Sequence, residues 1–134
     1  MSAANNVASV ANMYEAFGKG DIPFILSNLA DNCEWIGAGE GFLPQGGTYR
    51  GQDALNFFIK LGAAAEFTAF NPTAITAIND NEVVAFGNMS SVSKLTGKSS
   101  SSDWVMHWKF DSDGKLVYYQ DFYNTAAAYL ANQP

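Results

Sequence analysis

The stretch Lys115-Leu-Val-Tyr-Tyr-Gln-Asp-Phe-Tyr-Asn124 is almost wholly aromatic or branched, which predicts a buried strand. Side chains alternate across a strand, so Tyr119, Asp121 and Tyr123 share one face and Tyr118, Gln120 and Phe122 the other. Asp121 is thereby set among aromatic rings. A carboxylate in such company either has a partner or carries a raised pKa, and an active site uses both. The alternative is an edge-strand Asp reaching water.

Three further runs with strand character precede this one, at 67–78, 82–94 and 99–110. The breaks between the four are Asn79-Asp-Asn81, Leu95-Thr-Gly-Lys98 and Asp111-Ser-Asp-Gly114, which read as hairpin turns. The serine run 99–102 reads as the solvated start of a strand. Upstream, Val7, Val10, Ala11, Tyr14 and Phe17 fall at helical spacing, and Gly18-Lys-Gly20 ends that helix. Asp21 reads as an N-cap with Pro23 in the first turn, followed by a stripe of Ile22, Ile25, Leu26 and Leu29. A short strand is expected at 33–36 and a loop at 37–49, with five glycines and Pro44. Gly51-Gln-Asp53 opens a third helix, with Leu55, Phe58, Ile59 and Gly62 on one face. Asn124-Thr125 caps a short terminal helix at 126–131. Helices segregated to one side of a mostly antiparallel sheet make an α+β fold, expected as a single domain over residues 1–134.

Composition narrows the function classes. The chain has 134 residues and a formal charge of -6, with 7 basic residues spread singly. No basic stripe is present for phosphates, so neither nucleic acid nor an anionic membrane is an expected partner. The lone Cys33 cannot form an internal disulfide and reads as a buried structural thiol. With no basic leader followed by an apolar run from Met1 onward, a cytoplasmic location is expected. One histidine and one cysteine make no transition-metal cluster, and Gly37-Ala-Gly39 lacks the strand-to-helix setting of a phosphate loop, so no cofactor is expected.

The segments Gly18-Lys-Gly-Asp21, Cys33-Glu-Trp35, Gly46-Gly-Thr-Tyr-Arg-Gly51, Asp113-Gly-Lys-Leu116 and Asp121-Phe-Tyr-Asn-Thr-Ala-Ala127, in this order, resemble a SnoaL-like protein of the NTF2-like, or ketosteroid-isomerase-like, superfamily. The resemblance covers essentially the whole chain. It implies a cone-shaped α+β barrel with three N-terminal helices on a curved, mostly antiparallel sheet. It also implies a deep pocket and a homodimer formed through the outer sheet face. The isomerases' oxyanion tyrosine aligns with Met13, their general-base Asp with Gly37 and their second oxyanion donor with Met106, so that chemistry is not matched. The epoxide hydrolases' Asp-Arg-Asp set finds only Asp121, with Ser91 to Ser93 at the other positions. The polyketide cyclases match better, because their acid/base on the last strand aligns with Asp121; a histidine two positions earlier there is Tyr119 here.

These readings leave two function classes open. One is an acid/base enzyme of isomerase or cyclase type, with Asp121 as the proton-transfer group and Tyr119 and other tyrosines as its partners. The other is a non-catalytic protein that binds or carries a small hydrophobic molecule; a protein-interaction scaffold is a third, weaker reading. In either of the first two, the ligand-binding candidates are Trp35, Tyr14, Phe17, Phe58, Trp104, Met106, Trp108 and Tyr123. The alternatives are that Trp35 only fills the core, and that Trp104, Met106 and Trp108 belong to the core or to a dimer interface. His107 falls opposite Met106, where it reads as a satisfied or interfacial residue. Glu40 lies in the glycine loop that could cover the pocket, and Arg50, the only arginine, reads as a rim residue.

Overall fold

The computed structural model describes residues 2–134; Met1, where the expected domain and the leader reading begin, lies outside them. Helix α1 (Ala3–Gly18) is capped by the Ser2 side chain, which accepts from the Asn5 N–H at 3.2 Å. It turns Val10, Met13, Tyr14 and Ala16 inward; Ala11, expected in that stripe, is exposed and Met13 is buried in its stead. Asp21 caps α2 (Ile22–Ser27) through the Phe24 N–H at 3.2 Å, with Pro23 in the first turn as expected. That helix stops short of Leu29, which instead begins β1 (Leu29–Gly37), a longer strand than the 33–36 expected. The 37–49 loop also closes earlier than expected. Gly47 already pairs with Gly37 and starts β2 (Gly47–Arg50).

Gly51–Asp53 forms a 3-10 turn that leads into α3 (Ala54–Ala64). The face this helix buries differs from the expected one: Ala54, Phe57 and Ala64 are buried and Phe58 and Leu61 partly so, while Leu55 and Ile59 are exposed. Phe57 and Phe58 are both apolar, so composition alone did not separate the two faces. The meander β3 (Ala65–Ala77), β4 (Glu82–Ser93), β5 (Ser99–Phe110) and β6 (Leu116–Tyr123) follows, and α4 (Thr125–Ala131) ends the fold. Its Asn124 cap accepts from the Ala127 N–H at 3.0 Å. All three hairpin breaks form turns. Asn79 Oδ1 accepts from Asn81 N, Ser93 N–H bonds to Lys98 O, and Asp111 Oδ1 accepts from both Asp113 N and Lys115 N.

The six strands make one curved sheet of order β2-β1-β6-β5-β4-β3. All neighbours are antiparallel except β1 and β6. Edge strand β3 carries Pro72, which is tolerated where no ladder donor is needed. On the helix-covered face, side-chain size is matched across the β4–β5 ladder. Val83 faces Trp108, Ala85 faces Met106 and Gly87 faces Trp104. Gly87 is glycine because the Trp104 indole lies directly over it; a Cβ there would sit 2.2 Å from Trp104 Cζ2 and 2.5 Å from the Asn71 carbonyl oxygen. Among the described residues, no helix is long and apolar enough to cross a membrane.

Gly87→Ala is therefore expected to overpack this rung, displace Trp104 and lower stability by about 1–3 kcal/mol. Urea unfolding checks this; an unchanged midpoint would show that the indole is free to move aside.

Candidate functional site

Between α1, α3 and α4 and the inner sheet face lies a cavity of about 110 Å³, many times the volume that one water needs. Residues 104–108 turn Trp104, Met106 and Trp108 into it, which fixes the face of β5. His107 points the other way and bonds Glu82 Oε1 at 2.8 Å. Three levels follow along the β5–β6 ladder: Trp108 with Tyr119, Met106 with Asp121, and Trp104 with Tyr123. All six side chains line the cavity, as do Trp35, Tyr14, Phe17 and Phe58.

Asp121, at the middle level, is 5 % exposed and is the only carboxylate among the described lining residues. Its Oδ1 accepts from the Ala38 N–H at 2.8 Å and its Oδ2 from the Tyr119 hydroxyl at 2.8 Å. Burial pushes its carboxyl up to about 6, and the two hydrogen bonds to the ionised form hold it from rising further. Tyr119 itself is driven well above its ordinary range by burial and by the adjacent Asp121 charge, so it stays a neutral donor. It stacks on Trp35 with centroids 3.8 Å apart and planes 15° from parallel. Burial also raises Tyr14, and it lifts Tyr123 to about 12. The site thus holds one group that changes charge near neutral pH, beside three hydroxyls that do not.

Met13, aligned with the isomerases' tyrosine, lines the cavity, and so does the neighbouring Tyr14. The Tyr14 hydroxyl accepts from Trp108 Nε1 at 3.3 Å and donates to Met106 Sδ at 3.2 Å, a weak acceptor. Gly37 offers no side chain, and a Cβ there would strike Phe57 at 2.8 Å and the Gln45 carbonyl oxygen at 2.9 Å.

The glycine loop contributes two wall residues that sequence reasoning missed, Leu43 and Gln45. Gly39, at φ +89°, lets the Phe42 and Leu43 amides both bond its carbonyl, which folds Leu43 back against it. Gln45 Nε2 donates to the Tyr123 hydroxyl at 3.2 Å, and the Gln45 carbonyl accepts from the Tyr49 hydroxyl at 2.9 Å. An amide between Pro44 and Gly46 has no periodic neighbours to mark it as buried. Glu40 is exposed and outside the cavity wall. Arg50 is exposed on β2, 3.9 Å from Glu34, and also lies outside that wall. Cys33 is fully buried, and its thiol is pushed up to about 12, first by burial and then by Glu34, so it is a poor nucleophile.

The α4 end of the cavity is bordered by Ser91, Ser93, Ser100, Ser101 and Ser102 and by the small residues Ala127, Ala128 and Ala131. The helix is fastened there by Ser93 to Asn132 at 2.7 Å, Lys98 Nζ to the Gln133 carbonyl at 2.7 Å, and the Asn124 amide to Ser102 Oγ at 2.8 Å.

A family model for the SnoaL-like domain matches residues 10–119. No curated protein matches the sequence. Among solved structures, an NTF2-like protein of Burkholderia thailandensis E264 is 28% identical, with 96% of this chain and 98% of that one covered and a TM-score of 0.85. An NTF2-like protein of Burkholderia xenovorans LB400 is also 28% identical, covers 99% of both chains and has a TM-score of 0.86. TerC, co-crystallised with polyporic acid, shares the fold at 24% identity, with 97% and 99% covered and a TM-score of 0.81.

The raised Asp121 pKa carries a stability consequence. Between its ordinary 3.8 and about 6, the folded protein binds more protons than the unfolded chain, so this group favours folding at low pH and loses that contribution as pH rises through about 6. Asp121→Asn should match the wild type near pH 4 and exceed its stability by about 3 kcal/mol above pH 7, at about 1.4 kcal/mol per unit. Denaturant melts of both proteins across pH 4–8 check this; a pH-independent difference would place the Asp121 pKa at its ordinary value.

Proposed function

The chain belongs to the SnoaL-like family, and from that premise we propose that its cavity takes a small, flat, largely apolar molecule and that Asp121 exchanges a proton with it. The observation that carries the reading is a single buried carboxylate, raised to about 6, inside an otherwise aromatic wall with neutral hydroxyl donors. A base with a pKa near the working pH is the most effective kind. The Ala38 amide and the Tyr119 hydroxyl fix both oxygens, so the remaining lone pairs have a set direction. The chemistry that fits is removal of a proton next to a carbonyl. Asp121 accepts the proton, and the Tyr14 hydroxyl exchanges its thioether acceptor for the developing oxyanion, a stronger partner. A carrier is the second reading; the observation favouring it is that Asp121 has no second carboxylate in the described wall to complete a relay.

Hydrogen–deuterium exchange at the α-carbon of 2-tetralone separates the two readings. The wild type is expected to accelerate exchange over buffer along a limb that rises through about pH 6, and Asp121→Asn to lose about 10²-fold or more of that acceleration. Full exchange in the variant would remove Asp121 from the chemistry. Ligand binding without exchange in the wild type would leave a carrier.

The same reading includes a homodimer through the outer sheet face. Phe86, Val105 and Phe122 lie side by side across β4, β5 and β6, and the two phenylalanines are 46 % and 48 % exposed. Tyr118 and the His107–Glu82 pair share that surface. One curved sheet covers only one of its faces with its own helices, and a two-fold contact covers the other. Light scattering is expected to give twice the chain mass, and Phe86→Lys with Phe122→Lys to give a folded monomer. A monomeric wild type at micromolar concentration removes the dimer.

A further inference from the structure

The end of β1 is packed with no room for a side chain. Gly37, its last residue, pairs with Gly47 of β2, and the pairing of β1 with β6 stops one residue earlier, at Ile36 and Gln120. A Cβ on Gly37 would lie 2.8 Å from Phe57 Cε1 and 2.9 Å from the Gln45 carbonyl oxygen. The backbone of Gly37 does not adopt a positive φ, so the constraint is one of space. Both walls of this slot are held from behind by one residue. The Tyr49 hydroxyl donates to the Gln45 carbonyl at 2.9 Å, and the Tyr49 ring meets Phe57 edge-on, 5.9 Å between centroids. Phe57 is packed against Trp35 and Phe58 as well.

Ala38 then leaves the ladder and gives its N–H to Asp121 Oδ1 at 2.8 Å. That N–H belongs to the Gly37–Ala38 peptide. A peptide unit is planar and does not turn about its own C–N bond, so the slot around Gly37 sets where the N–H points. The other bond to the carboxylate comes from Tyr119, two residues away on the same strand. The Ala38 bond therefore differs in kind: it ties Asp121 to a part of the chain 83 residues earlier.

We infer that the Gly37–Ala38 peptide is a positioning group for Asp121: the bare Cα of Gly37 lets the end of β1 close on Phe57 and Gln45, which sets the Ala38 N–H on Oδ1 and fixes the plane of the carboxylate. The inference rests on the proton-transfer role proposed above for Asp121. The titratable groups that face this carboxylate are Tyr14 from α1 and Tyr119 and Tyr123 from β6, and burial keeps all three neutral near pH 7. β5 presents Met106 opposite it. The charge of Asp121 thus answers to burial and to its two hydrogen bonds. An N–H on a carboxylate favours the ionised form. Without it, the group holds its proton to higher pH.

Two variants of the whole protein test this, with the Asp121 carboxyl carbon followed by NMR from pH 4 to 9. Gly37→Ala displaces the peptide. Lactic acid in place of Ala38 turns the amide into an ester and removes the N–H alone, with Gly37 untouched. In both, the Asp121 midpoint is expected to rise above the wild-type value by about one pH unit or more, because a hydrogen bond to a charged group is lost. The limb of 2-tetralone exchange should move with it. A role confined to packing would lower stability and leave the midpoint in place. In the wild type, the Ala38 amide proton should itself shift through the Asp121 midpoint, and Asp121→Asn should abolish that shift. An unmoved midpoint in the ester variant, or in a folded Gly37→Ala, would overturn the inference. Where neither variant folds, the wild-type amide proton decides alone, and a flat trace overturns it. If the wild type catalyses no exchange, the chemistry proposed above fails, while the carboxyl titration still decides whether this peptide holds Asp121.

Discussion

The parallel pairing of β1 with β6 is the contact on which the rest of the molecule depends. It joins residues 34–36 to residues 118–120, so helix α3 and the first three strands of the meander lie within the excursion between them. Parallel neighbours cannot be linked by a tight turn, and the long crossover they need here is the body of the protein itself. The pairing stacks Trp35 on Tyr119 and carries the backbone just beyond β1 to the carboxylate of β6, where the Ala38 amide meets Asp121. The same pairing closes the fold and brings Trp35, Tyr119 and Asp121 together. Without that pairing, β1 and β2 would be an isolated hairpin, marginal alone in water.

A cavity survives inside this aromatic wall because its rings are held from behind. Trp104 rests on Phe70 over Gly87, Trp35 rests on Tyr119, and Phe57 and Phe58 brace Trp35 at tilted angles while Trp108 meets it edge-on. Stacked and T-shaped contacts fix each ring in two directions, so collapse into the empty volume would break contacts that are already made. The Val83, Ala85, Gly87 gradient supplies room on β4 for the bulk of β5. Small residues on one strand thus set where the large ones of the next can stand, and the cavity is what that arrangement leaves.

The architecture was largely legible in the sequence because its signals were local. Alternation fixed the shared face of Tyr119, Asp121 and Tyr123, and turn chemistry at Asn79, Gly97 and Asp111 fixed the meander. The departures occurred where tertiary contacts decide. Leu29 fits a helical stripe, yet the Asn28 carbonyl before it accepts from the Leu116 N–H at 2.9 Å and draws it into pairing with Leu116. The side of α3 that faces inward was set by whether Trp35 and Tyr49 meet Phe57, which no spacing within the helix reveals. β2 is only four residues long and begins at Gly47, so Thr48 and Tyr49 are too short a run to mark a strand by themselves, and pairing with β1 defines it. Gln45 was invisible for a related reason: a lone amide in an irregular loop becomes part of a site only when the loop folds over the sheet.

At the middle level, burial raises the Asp121 carboxyl while one amide and one hydroxyl pull it back, and the balance leaves its proton movable near neutral pH. The surrounding tyrosines cannot compete as charge carriers, because the same burial raises them and the Asp121 charge opposes their ionisation. Above and below that level, the indoles of Trp35 and Trp104 do not titrate at all. A change of pH therefore acts on the middle of the cavity, where the Asp121 balance depends on how much water reaches it. Drier surroundings would push that carboxyl further up, so a ligand that fills the cavity well also makes Asp121 the stronger base.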